Sequence, residues 1–136
     1  MHTVNAAMVR IAVLGAALAG YYAALPFLFP DDGGGANIGA GLIAFAGLAL
    51  MSFGWALQDG RARGNSSTVT VWSIVAVVMG IGWFVALAVA EADASMSVAD
   101  RIETYAFIMF FTVGLVFGPA AAGVGVGSAL RPSSSR

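Results

Sequence analysis

The sequence predicts an all-α fold, an integral membrane bundle of four transmembrane helices, on three observations. Hydrophobic residues make up 60% of the 136 positions and charged residues 10%, against roughly 45–50% and about 25% in soluble domains. The apolar residues gather into four long runs, each close to the ~20 residues that a helix needs to cross a ~30 Å hydrocarbon core. Short polar turns separate the runs. A soluble domain of this size could not hide so much apolar surface. The formal net charge of -1 carries no basic surplus, which excludes a nucleic-acid partner. The chain has no cysteine, which removes disulfides, thiol catalysis and thiolate metal sites. Strands are a poor reading, because the runs do not alternate and lipid admits only helices or closed barrels.

The first span covers about 11–29. It is free of charge from Ile11 to Phe29 and ends at the turn residues Pro30-Asp31-Asp32-Gly33-Gly34-Gly35. Arg10 stands at its start and can snorkel toward the headgroups. Ala17-Leu18-Ala19 has the look of a leader cleavage site, but the apolar run continues past it, which reads as a membrane span. The second span covers about 37–57 and stops at Gln58-Asp59-Gly60. The third covers about 68–90, after a polar loop holding Arg61, Arg63, Asn65, Ser66 and Ser67. The fourth covers about 102–130. Ser97 is placed to cap it, with Asp100 in its first turn where the helix dipole favours an anion. Gly118-Pro119 is expected to kink or end this helix. Short connections imply antiparallel neighbours in sequence order, up-down-up-down. The whole chain, 1–136, is then a single domain.

Orientation follows from arginine. Arg10, Arg61, Arg63, Arg131 and Arg136 fall on one side, whereas Asp31, Asp32, Glu91, Asp93, Asp100 and Glu103 fall on the other with Arg101. Basic residues in short loops mark the cytoplasm, so both termini are expected there. Arg10, Arg61, Arg63 and Arg131 are the topogenic charges. Trp55 and Trp72 flank the arginine loop where an aromatic belt would sit. Arginine without lysine, together with abundant Ala and Gly, is the spelling of a GC-rich genome and suggests a bacterial plasma membrane.

Helices in lipid associate through small residues that let backbones approach. Gly114-x-x-x-Gly118 in the fourth span, Gly47 and Gly54 in the second and Gly80 in the third are the candidate packing or interface positions. Low-complexity similarity between 20–25 and 82–87 hints at a duplicated hairpin.

Catalytic chemistry has little to work with. No ionisable residue falls deep in a span on these boundaries, and such a residue would be the default functional site. His2 has no converging partners for a metal or a nucleophile, and no lysine exists to complete a phosphate loop. Ser52, Ser73, Thr112, Tyr21 and Tyr22 read as helix-bonding hydroxyls, and Met51, Met79 and Met109 as core filler. The acidic outer loops read as solvated. The expectation is therefore a protein without catalytic machinery and without cofactors or metals, an accessory or scaffold subunit of a membrane assembly. Its partners would be the lipid bilayer and other membrane subunits or itself. The alternative is a small homo-oligomeric channel or transporter.

Overall fold

The computed structural model describes residues 2–30, 35–63, 65–90 and 97–131. It contains α1 (His2–Leu28), α2 (Gly35–Arg63), α3 (Asn65–Ala90) and α4 (Val98–Ala129). All four are long and apolar enough to cross a membrane. Large apolar side chains such as Leu42, Leu50, Ile81, Phe107 and Phe110 point outward. A helix that is apolar all round is the mark of a lipid-exposed span rather than of a water-facing surface.

Several helix ends differ from the sequence reading. α1 begins at His2 rather than near residue 11. α2 does not stop at residue 57 but continues through Gln58-Asp59-Gly60 to Arg63, where Arg61 and Arg63 complement the negative end of the helix dipole. α4 starts at Val98 rather than near 102; it runs ten residues beyond Pro119, to Ala129, in agreement with the expected span to about 130. Proline is tolerated inside membrane helices because local adjustment and neighbouring groups satisfy the freed carbonyl. Ser97 caps α4, accepting from the Asp100 backbone N–H at 3.2 Å, and Asp100 occupies the first turn.

Contact pairs give the relative directions. Arg10 meets Asp59 while Tyr21 donates to the Ala40 carbonyl at 2.9 Å, so α1 and α2 are antiparallel. Arg10 lies by Trp72 and Tyr22 by Trp83, so α1 and α3 are parallel. Phe45 meets Phe111 at one level, and the Arg131 side chain donates to the Arg61 carbonyl at another, so α2 and α4 are parallel. The up-down alternation follows.

Neighbour order departs from the sequence expectation. The closest pairs are α2 with α4 and α3 with α4, whereas α2 and α3 touch little and α1 and α4 not at all among the described residues. Glycine explains this. A Cβ on Gly60 would lie 2.7 Å from the Val124 carbonyl oxygen, one on Gly123 would strike the Phe53 carbonyl, and one on Gly127 the Leu57 carbonyl. A Cβ on Gly80 would lie 2.6 Å from a Val113 methyl and 2.9 Å from the Met109 carbonyl. The backbones of α2 and α3 thus both press on α4. Its buried stripe of Tyr105, Thr112, Val116, Ala120, Gly123, Val124 and Gly127 follows one face of the helix, at spacings of three, four or seven residues apart from the adjacent pair Gly123-Val124.

The other glycines named from sequence lie elsewhere. Gly114, Gly118, Gly47 and Gly54 have no atom within 4 Å of a Cβ position. They do not bring the helices of this chain together. Gly114 and Gly118 are two residues out of phase with Val116 and Ala120, about 200° around the helix, and both are exposed.

Candidate functional site: a buried arginine–aspartate clasp

Extending α2 to Arg63 turns Asp59 from a loop residue into a helical one, aimed at α1. Beginning α1 at His2 puts Arg10 two turns inside its helix. The two meet. Arg10 Nε donates to Asp59 Oδ2 at 3.0 Å, and a second guanidinium nitrogen, Nη2, donates to the same oxygen at 2.5 Å. The third nitrogen, Nη1, donates to the Ala6 carbonyl one turn back. Trp72 Nε1, from α3, adds a bond to Asp59 Oδ2 at 3.3 Å. One carboxylate oxygen therefore takes donors from two helices while its own helix holds it in place. The other oxygen, Oδ1, lies 4.0 Å from Arg63 Nε.

The guanidinium is also enclosed by aromatic faces. Its Cζ lies 5.0 Å from the Trp55 ring centroid and 5.8 Å from that of Trp72. The two indoles meet edge to face, 6.5 Å apart at 76°. Desolvated cation–π contacts of this kind add to the ion pair. Arg10 is 4% exposed and Asp59 7% exposed.

These facts correct the sequence reading. Arg10 does not snorkel, and Trp72 is buried rather than part of an interfacial belt. A charged pair does lie within helices able to span the membrane. It was missed because Asp59 sits between Gln58 and Gly60, a polar turn-like triplet, and because its partner is 49 residues away. The signal available was Arg10 itself, an isolated cation next to a long apolar run, which calls for a counter-charge.

No family model, curated protein or solved structure matches this chain. Both charges are mutually neutralised, and Oδ2 has its acceptor capacity filled. Such a cluster holds three helices together at one level.

The remaining sequence candidates are scattered. Thr112 and Ser73 donate to the carbonyls of Ile108 and Val69 on their own helices. Ser52 is fully buried, and its hydroxyl has no hydrogen-bond partner among the described residues. Asp31, Asp32, Glu91 and Asp93 lie outside the described residues, and the described ones contain no group of three metal-ligating side chains.

Away from the clasp, α1 is loosely held. Two apolar grooves flank it. One, of about 440 Å³, runs between α1 and α3 past Gly15, Ala19, Tyr22, Gly82 and Trp83. The other, of about 210 Å³, lies between α1 and α2 past Leu14, Tyr21, Ala44 and Gly47.

Proposed function

We propose that this is a multi-pass protein of a bacterial plasma membrane, with both termini cytoplasmic and a kink at Pro119. In this reading it serves as a non-catalytic accessory or scaffold subunit of a membrane assembly. The observation that carries the reading is the contrast between a tightly packed α2–α4–α3 core and an α1 flanked by open apolar grooves. Membrane helices bind one another through close packing at small residues. Gly15, Ala19, Gly82 and Ala86 offer such a surface beside α1, and Gly114 and Gly118 offer another on α4.

Affinity purification in a mild detergent tests this. The expected result is a stoichiometric heterologous membrane protein that stays with the chain. A lone symmetric oligomer would instead favour the channel or transporter reading. That alternative rests on Arg10 and Asp59, because ionisable groups inside spans often mark ion or proton paths.

Orientation is supported by the convergence of Arg10, Arg61, Arg63 and Arg131 at one end of the bundle. Positive charge in short loops is retained in the cytoplasm. A reporter fused after Arg136 should read as cytoplasmic, and one inserted at Gly34 as external. The opposite pattern would overturn the assignment.

A further inference from the structure

The bundle has aromatic knobs on one side and an apolar groove on another, at the same depth. The knobs come from the run Phe107-Ile108-Met109-Phe110-Phe111 of α4. Phe111 turns toward Phe45 of α2, and Phe107 stacks on Phe111 with ring centroids 6.2 Å apart at 22°. Phe107 and Phe110 themselves project outward, 73% and 66% exposed. Phe107 is nine residues from the buried Val116, half a turn out of phase with it. The groove, of about 440 Å³, lies between α1 and α3. Gly15, Ala19, Gly82 and Ala86 keep it open, and Tyr22 and Trp83 form an aromatic wall, 5.4 Å apart. A Cβ on Gly15 or Gly82 would meet no atom within 4 Å. Gly82 is two residues from Gly80, which packs on α4, and so lies about 200° around α3 from that contact. The groove therefore opens away from α4, and α1 and α4 do not touch among the described residues.

We propose that the groove receives Phe107 and Phe110 from a second copy of this chain, so that copies associate head to tail around an axis along the membrane normal. Depth is the first argument. Gly80 packs on Met109 and Val113. Because α3 and α4 run antiparallel with the same rise per residue, Phe110 and Phe107 stand level with about residues 81–84 of α3. The groove extends from Val78 to Leu87 on that helix. Copies inserted in one orientation thus present knobs at the height of the groove. Size is the second argument. An apolar cavity of about 150 Å³ holds one benzene, so the groove has room for two phenyl rings. Trp83 and Tyr22 offer them edge and face contacts. Shape is the third. Gly114 and Gly118 continue the knob-bearing face of α4 without side chains, which lets a neighbouring helix approach closely. Knob and groove are different surfaces, so the contact is heterologous and closes into a ring where the rotation permits. The proposal deepens the assembly reading above by naming a second copy as one partner.

The chain has no cysteine, so disulfide cross-linking can test this in native membranes. Ala19→Cys, exposed at the groove, and Phe110→Cys are placed in separate full-length chains with different tags, co-expressed and oxidised. A linked pair carrying both tags is expected, and neither variant alone should link to itself. Both substitutions in one chain should give a ladder of dimers, trimers and larger species, because α1 and α4 do not meet within a chain. Adding Gly82→Leu, which fills the groove, should lower the mixed-tag product about tenfold, as loss of an interface anchor does. Phe107→Ala should do the same from the other side. It changes an exposed side chain, so its result stands even if Gly82→Leu alters the fold. Leu50→Ala, exposed on α2, should link as the parent pair does. Phe110→Cys linking only to itself would mean that α4 faces α4, and overturns the proposal. So does a mixed-tag product undiminished by Phe107→Ala. A chain that forms no mixed-tag product yet retains a foreign subunit on purification overturns the proposal and leaves the accessory reading standing.

Discussion

Replacing Arg10 by Ala should destabilise the bundle by about 3–5 kcal/mol, the usual consequence of leaving one partner of a buried ion pair without the other. Asp59 would keep only the Trp72 N–H at 3.3 Å and a distant Arg63. Its carboxylate would remain inside the bundle with only the half-exposed Arg63 opposite it. Asp59→Ala should cost a similar amount, because the guanidinium would then be stranded between two indoles. Arg10→Leu combined with Asp59→Leu should recover most of the loss, since an apolar pair of similar volume avoids desolvating two charges. Arg10→Lys should fall between, because an ammonium keeps the charge but loses the planar contact with Trp55 and Trp72. Unfolding midpoints in detergent read all four variants. A parent-like midpoint for Arg10→Ala would mean that the pair is solvated and contributes little, as exposed ion pairs do.

The contrast between what the sequence disclosed and what it hid has a single physical origin. Four spans, the Ser97 cap with Asp100 behind it, and the clustering of arginine at one end were all legible. They depend on local composition, which the chain states directly. The clasp and the packing faces depend on which side of each helix turns inward. In a soluble helix, apolar periodicity reveals that side. Here it does not, because lipid accepts the same residues as the core does. Leu42 and Leu48 share α2, yet the first is exposed and the second buried. The polar triplet Gln58-Asp59-Gly60 misled for a related reason. Glycine beside an acid usually signals a turn. In this chain Gly60 lies within helix α2, where its missing side chain admits the backbone of Val124.

Two small-residue motifs in α4 make the same point and supply the second large effect. Gly114-x-x-x-Gly118 and Gly123-x-x-x-Gly127 look equivalent in sequence. They are nine residues apart, and at about 100° per residue that is half a turn out of phase. Only the second faces α2. A methyl group on Gly123 meets the Phe53 carbonyl, and one on Gly127 meets the Leu57 carbonyl. Both obstacles are backbone, which cannot swing aside as a side chain can. Gly123→Ala and Gly127→Ala should therefore each lower stability by about 1–3 kcal/mol, the range for overfilling a packed site. The corresponding leucine variants should separate α2 from α4 or prevent folding. Gly114→Ala and Gly118→Ala should do the reverse. Open space receives the methyl, and alanine favours a helix over glycine by about 0.5–1 kcal/mol, a gain expected to be clearest at Gly114, which does not precede a proline. Detergent unfolding of the four alanine variants should thus sort them by face rather than by motif. If the Gly114 and Gly118 variants were the damaged pair and the Gly123 and Gly127 variants the tolerant one, α4 would have to be rotated by half a turn, and the α2–α4 core described above would be wrong.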